Sequence, residues 1–188
     1  MLPKQKQKRK SKFRLDASKI RLLLVFLVVS AVFIIINKIF FFMGLFIIAT
    51  FAGKMIRGQM GLKMVVLDPL LFSAIIITRY FGIKYLFLFL FITVFFADFV
   101  SGIFSPGSFA NYLLYHLCPI LSHLIFSKFS LMFYGNMASI FYSVGYFIVR
   151  TTILPDDPFQ VISKSMTSVM FTFMYLLFLG PILNIILK

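Results

Sequence analysis

Residues 97–123, ADFVSGIFSPGSFANYLLYHLCPILSH, place carboxylate, amide, imidazole and hydroxyl groups inside otherwise unbroken apolar sequence. The turn signal Ser-Pro-Gly-Ser at 105–108 separates two apolar runs. Each run approaches the ~20 residues that cross ~30 Å of hydrocarbon as a helix. Neither run shows the polar alternation of a barrel strand, so both are predicted to be transmembrane helices.

Composition extends this prediction to the whole chain. The protein has 188 residues, of which 61% are apolar, and its mean hydropathy is +1.02. Soluble domains are roughly 45–50% apolar, so a soluble core is excluded. The single Cys118 excludes an intramolecular disulfide. We expect an all-α fold, a polytopic transmembrane helical bundle that uses the chain as one domain.

Positive charge is concentrated at the N-terminus. The formal net charge is +14, and nine of the 19 Lys and Arg residues lie between Lys4 and Arg21, directly before the first apolar run. This distribution is typical of the positive-inside rule and of contact with anionic lipids, and argues against nucleic-acid binding. We therefore predict a basic cytoplasmic arm at 1–19 and a transmembrane domain at 20–188, in a multi-pass protein of the cell membrane.

The number of spans stays open between six and seven. The apolar stretch 20–53 has 34 residues, interrupted only by Asn37 and Lys38, and fits either one tilted span or two short helices. Counting basic residues at the two membrane faces does not choose between them. The short span that follows is expected to begin near Pro69, with Asp68 as its N-cap. Spans are predicted at 64–80, 85–104, 109–126, 131–149 and 161–187.

Three late helices are each predicted to carry one polar seam. In each helix the polar residues recur every three or four positions, which places them on one face. Such groups are costly in lipid, so the seams should converge, either as interhelical hydrogen bonds or as the lining of a cavity. The seams are Asn111, Tyr115, Cys118 and Ser122; Asn136, Ser139, Ser143, Tyr146 and Arg150; and Lys164, Ser168, Thr172 and Tyr175.

Other polar residues favour structural roles over chemistry. Asp98 lies seven residues before the turn at 105–108, where it could pair with a lysine, cap a helix or contact a ligand. His116 and His123 lack a third ligand at zinc-like spacing, so no metal is expected. The sequence contains no HExxH, GxSxG or glycine-rich phosphate loop, so we expect neither an enzyme nor a cofactor.

The order of four motifs resembles a known family. KMVVLDPLLFSAIIITRYFG at 63–82, SPGSFANYLL at 105–114, DDPFQVISKS at 156–165 and GPILNIILK at 180–188 together resemble the substrate-binding (S) components of energy-coupling-factor vitamin transporters, most of all the flavin type. The matching positions are Asp68, Pro69, Gly82, Ala110, Asn111, Pro158 and Phe159. Gln160 replaces the Asn of the family's Pro-Phe-Asn motif.

This resemblance implies an S-component-like bundle that binds a small vitamin-like molecule for uptake. The implied partners are a transmembrane coupling protein and separate ATPase subunits, since no nucleotide-binding motif occurs here. The ligand would lie at the outer face, between the loops near 105–108 and 151–159. The expected binding residues are Asn111, Tyr115, Asn136, Tyr146, Phe159 and Gln160, of which Phe159 or Tyr115 would stack on a ring.

A second resemblance implies a different function. ADFVSG at 97–102 followed by SPG is similar to the rod-shape-determining membrane protein D family. That resemblance implies a membrane scaffold with no small-molecule ligand. In that alternative the polar seams are packing contacts, and the basic arm recruits lipid or a cytoplasmic partner.

Overall fold

Apolar helices follow one another along the described chain. The computed structural model of the protein describes residues 37–59, 69–100, 105–154 and 156–187. All regular structure in these ranges is helical, which confirms the predicted all-α class. A helix satisfies its backbone hydrogen bonds within one segment, as hydrocarbon requires.

The first half of the described chain contains four helices. α1 is Lys38–Gln59, α2 is Leu70–Tyr80, α3 is Ile83–Leu90 and α4 is Ala97–Val100, with a π-helical segment at Phe91–Phe96 joining α3 to α4. Gly82 between α2 and α3 has φ of 93°, a conformation that favours glycine. The predicted turn centred on Gly82 is therefore confirmed.

The second half contains the remaining helices. α5 is Pro106–Phe126, α6 is Leu131–Ile148 with a π-helical extension at Val149–Ile153, α7 is Pro158–Phe178 and α8 is Gly180–Leu187. Ser105 caps α5, since its Oγ accepts from the Ser108 N–H at 3.2 Å. Proline stands at the first position of both α5 and α7, where its missing N–H is harmless.

Two predicted boundaries were wrong. The stretch 151–159, expected to be a loop, is π-helical as far as Ile153, and its last two residues already belong to α7. The helix predicted at 161–187 is two helices, α7 and α8, separated at Leu179. Pro181 has no N–H to donate four residues back, which weakens helical continuity here.

Among the residues that the structure describes, four helices are long and apolar enough to cross a membrane. They are Lys38–Ile56, Pro106–Phe126, Leu131–Ile153 and Pro158–Phe178, and Leu70–Tyr80 is a shorter apolar helix. The protein is therefore a helical membrane protein. The count of six or seven spans stays a prediction. A helix begins at Lys38, but residues 1–36, which include the predicted basic arm, lie outside the described residues. The predicted N-cap Asp68 also lies outside them.

The short helix α2 is the centre of the bundle. All residues from Leu70 to Thr78 are buried, and α2 packs against α3, α5, α6 and α7. Its eleven residues reach only about 17 Å at ~1.5 Å per residue, less than the hydrocarbon thickness. Because α2 is apolar on every side, neighbours can surround it completely. The longer helices α5, α6 and α7 form a consecutive packed series beside it.

The bundle has two opposite ends, named here after their arginines. At the Arg150 end, the start of α5 meets the end of α6, and Lys54 of α1 lies 3.7 Å from Asp98 of α4. At the Arg79 end, the Arg79 guanidinium donates to the carbonyls of Ser127 and Phe129 in the turn between α5 and α6.

Candidate functional site

Polar groups from α5, α6 and the loop before α7 meet around the Arg150 guanidinium. Nη1 donates to Asp156 Oδ2 at 2.8 Å, and Nη2 lies 3.4 Å from both Asn111 Oδ1 and the Gly107 carbonyl. The guanidinium carbon is 5.3 Å from the centre of the Tyr146 ring, in the range of a cation–π contact. These five residues are called the Arg150 cluster below.

Local sequence positions each member of the cluster. Gly107 and Asn111, and likewise Tyr146 and Arg150, are four residues apart and share a helix face. A Cβ at Gly107 would lie 2.5 Å from Arg150 Nη1, so only glycine leaves room for this guanidinium position. The Asp156 N–H donates to the Arg150 carbonyl at 2.8 Å, which folds the loop back against the end of α6.

The guanidinium has unused hydrogen-bonding capacity. Arginine carries five N–H donors, and here only the bond to Asp156 is short. Nε is buried and has no partner among the described residues. The Arg150 side chain is 17% exposed and that of Asp156 is 41% exposed, so the ion pair is accessible from one side.

Electrostatics at this point favour a negative group. The start of α5 carries the positive end of the helix dipole, and the guanidinium adds a full positive charge beside it. Asp156 supplies the carboxylate that balances both. The cluster can therefore hold an anionic oxygen group, supplied by the chain itself or by a ligand.

A stack of tyrosines adjoins the cluster. Tyr115 of α5 stacks on Tyr142 of α6 with ring centres 4.6 Å apart, and Tyr142 lies 5.7 Å from Tyr146. All three side chains are buried. Tyr142 was not among the predicted binding residues, although its spacing of four from Tyr146 was a readable signal. Two predicted residues, Tyr115 and Tyr146, are thus connected through a third.

Asn136 lies in a different place from the Arg150 cluster. It lines an open groove of about 540 Å³ between α6 and α7, whose wall is mostly apolar. The other lining residues are Ile140, Ser143, Ser165, Met166, Val169, Met170 and Phe173. The structure therefore separates Asn136 from Asn111 and Tyr146.

Phe159 and Gln160 lie in the first turn of α7, at the Arg150 end. Both are exposed, Phe159 to 70%. The Phe159 backbone N–H donates to Asp157 Oδ1 at 3.1 Å, which caps α7. Their side chains therefore remain on the surface of the bundle, beside the cluster in sequence but not packed into it.

Three serine hydroxyls in and beside the polar seams bond to backbone carbonyls, whereas the buried Ser143 hydroxyl has no partner among the described residues. Ser122 Oγ of α5 donates to the Tyr134 carbonyl of α6 at 3.0 Å, and Ser165 Oγ of α7 donates to the Ser143 carbonyl of α6 at 3.4 Å. Ser139 Oγ donates within α6 to the Gly135 carbonyl at 2.9 Å. Ser122 and Ser139 therefore make interhelical and local hydrogen bonds, the first of the two predicted alternatives, whereas Ser165 was not among the predicted seam residues.

Asp98 pairs with a lysine, which was one of its predicted roles. Lys54 Nζ lies 3.7 Å from Asp98 Oδ1 and donates to the Thr93 carbonyl at 2.7 Å. Thr93 belongs to the π-helical segment Phe91–Phe96, in which the backbone ladder departs from the α pattern. Lys54 therefore ties α1 to this segment and to α4.

The two histidines pack against aromatic rings. His116 Nδ1 lies 2.8 Å from the Tyr112 carbonyl, and its ring centre is 4.3 Å from those of Phe87 and Tyr112. His123 lies 6.0 Å from the Tyr134 ring. In the part of the chain that the structure describes, no group of three or more His, Cys, Asp or Glu side chains comes together as a metal site would require.

Comparison with protein-family models, curated proteins and solved structures finds no match for this chain. The resemblances to S components and to the rod-shape-determining family therefore stay predictions based on the quoted motifs. Of the motif positions, Pro69 immediately precedes α2, Gly82 forms the turn before α3, and Pro158 opens α7.

Proposed function

We propose that this chain is the membrane-embedded binding subunit of an uptake system for a small vitamin-like molecule. A separate ATPase module and a transmembrane coupling protein would energise transport. The observation that carries the proposal is the Arg150 cluster, in which Asn111 and the Tyr146 ring meet a guanidinium whose Nε has no partner among the described residues, at one end of the bundle.

The surroundings of the cluster suit a small ligand. Ligand sites combine aromatic and apolar walls with a few placed polar groups, and the stack of Tyr115, Tyr142 and Tyr146 supplies such a wall. The cluster lies where the first turn of α5 meets the π-helical extension of α6 and Asp156. In a six-span arrangement with a cytoplasmic N-terminus, this end of the bundle faces outside, as capture from the environment requires.

A membrane scaffold is the second candidate. It is favoured by the hydroxyls of the seam residues Ser122 and Ser139 and of Ser165, which bond to backbone carbonyls and so act as packing contacts. In this alternative the cluster only clamps α5 to α6, and the open groove between α6 and α7 receives a neighbouring membrane helix.

Native mass spectrometry of the detergent-purified protein distinguishes the two. A binding subunit should release a small molecule, and Asn111→Ala should reduce its occupancy because the amide lies in the cluster. Asn136→Ala is the matched control, since it removes the same group from the separate groove and should leave occupancy unchanged. An empty protein that retains protein partners in both variants would contradict the binding proposal and support a scaffold.

A further inference from the structure

We propose that the ligand of this site carries an anionic oxygen group, a carboxylate or a phosphate, and that Asp156 occupies the position of that group when no ligand is bound. This inference rests on the proposed binding function. It assigns Arg150 as the recognition residue, a role that the sequence prediction did not give it.

Donor geometry is the first support. A guanidinium presents its N–H groups as a planar fork that matches the two oxygens of a carboxylate or phosphate. In this structure the fork makes one short bond, from Nη1 to Asp156, while Nη2 makes only two contacts of 3.4 Å. Nε has no partner among the described residues. A bidentate ligand oxygen pair would take Nη1 from Asp156 and replace the long contacts of Nη2 with a shorter hydrogen bond.

Charge is the second support. Arg150 lies against Gly107 in the first turn of α5, where the backbone already favours an anion. The guanidinium carbon lies over the Tyr146 ring, 5.3 Å from its centre, so the ring covers one face of the guanidinium and leaves the in-plane N–H groups as the donors for an anion. Asn111 Oδ1, on the same face, accepts a hydrogen bond and can orient a ligand that also has a donor.

Asp156 can leave without unfolding the loop. Its backbone N–H donates to the Arg150 carbonyl at 2.8 Å, so the chain position is fixed independently of the carboxylate. The side chain is 41% exposed, and pairs at such exposure are weak because water competes for both charges. Rotation of the carboxylate into water would therefore open the fork to a ligand of the same chemistry.

The experiment uses inorganic phosphate and acetate as probes. The full chain is placed in nanodiscs of zwitterionic phosphatidylcholine, and binding is measured by the Asn111 side-chain amide ¹⁵N–¹H signals during titration, because Asn111 belongs to the cluster and is present in every variant tested. Removing the competitor with Asp156→Asn should tighten phosphate binding about tenfold. Arg150→Lys, which keeps the charge and loses the fork, should weaken it at least as much.

Asp157→Asn is the matched control. It removes a neighbouring carboxylate but keeps the cap of α7, because asparagine caps as well as aspartate. Phosphate affinity should stay at the wild-type value. The inference would be overturned if Arg150→Lys bound phosphate as tightly as the wild type. It would also be overturned if Asp156→Asn showed no gain in phosphate affinity while Asp157→Asn behaved like the wild type. Thermal unfolding of each variant is the control that tests whether the bundle is still folded.

The source of the anion is separated by lipid composition. If a lipid headgroup is the ligand, nanodiscs containing phosphatidylglycerol should shift the Asn111 signal without added phosphate, and Arg150→Lys should abolish that shift. If the ligand is soluble, only the titrated anion should do so. A shift caused by either the lipid or the titrated anion supports an anionic ligand. If neither causes a shift, the proposal of an anionic ligand is contradicted.

The two proposals can fail separately. A captured small molecule whose occupancy is the same in the wild type and in Arg150→Lys would preserve the binding function and overturn the anionic recognition. Phosphate binding through Arg150, in a protein that captures no small molecule, would preserve the anion site and overturn the uptake function.

Discussion

At the scale of single residues, the absence of a side chain at Gly107 positions the Arg150 guanidinium. Gly107 allows the Arg150 guanidinium to lie directly on the first turn of α5, where any Cβ would be 2.5 Å from Nη1. The atoms that would clash are the far end of a flexible side chain. They can therefore move without disturbing the helix backbones.

Gly107→Ala should consequently impair the site more than the fold. We expect phosphate affinity to fall about tenfold, because the displaced guanidinium loses its place beside Asn111, while the thermal midpoint changes little. Titration in nanodiscs and thermal unfolding measure the two effects. Gly44→Ala is the control, since the described residues place nothing within 4 Å of a Cβ there. A large loss of stability with unchanged affinity would contradict this prediction.

At the scale of secondary-structure elements, α6 and α7 approach closely because of another glycine. A Cβ at Gly135 would lie 2.5 Å from Leu176 Cδ1, and Leu176 is buried in the core. Small residues at helix interfaces are how membrane helices gain close van der Waals contact. This contact continues the same interface that carries the hydrogen bond from Ser165 to Ser143.

Gly135→Ala should destabilise the bundle by about 1–3 kcal/mol, the usual range for overpacking a filled interior. The reason is that the new methyl group would overlap Leu176, a buried side chain surrounded by the core. Unfolding in detergent should show the loss, with Gly44→Ala again as the control. Recovery in the double variant Gly135→Ala, Leu176→Ala would attribute the effect to this contact, whereas a single variant as stable as the wild type would contradict it.

The π-helical segment and α1 are connected by one lysine. Lys54→Met should destabilise the protein by about 1–3 kcal/mol. The substitution removes the ammonium group that donates to the Thr93 carbonyl and forms the ion pair with Asp98. Asp98→Asn should cost less, since Lys54 keeps its 2.7 Å bond to Thr93. Unfolding measurements on both variants test the order, and equal losses would contradict the importance of the carbonyl bond.

At the scale of the whole molecule, the two ends of the bundle must face opposite sides of the membrane. The Arg150 end carries the proposed site, and the Arg79 end carries the turn between α5 and α6. α2 lies buried between them and links the early helices to the late ones. Function as an uptake subunit requires the Arg150 end to face outside.

Cysteine labelling tests this orientation. In intact cells, a membrane-impermeant thiol reagent should modify Phe159→Cys, at the exposed start of α7, and should not modify Lys128→Cys at the other end. The native Cys118 is buried and provides the background measurement. The reverse labelling pattern would place the Arg150 end in the cytoplasm and contradict capture from outside.

The helical membrane character and several turns could be predicted from sequence, because they depend on local features. Run length and apolar content indicate spanning helices, while Gly82 and the Ser-Pro-Gly-Ser turn at 105–108 interrupt helices through their backbone chemistry. Helical spacing also predicted which residues share a face, such as Ser122 on the inward side of α5. The resemblances to known families and the span count go beyond what the structure tests.

Only the tertiary structure decided which polar groups meet. It joined Asn111 to Arg150 and Asp156, inserted Tyr142 between Tyr115 and Tyr146, and assigned Asn136 to a separate groove. Periodicity gives the face of one helix but not its rotation against a neighbour. That rotation is set by side-chain packing between residues far apart in the chain. An example is the Arg150 guanidinium, which packs against Gly107 at the start of α5.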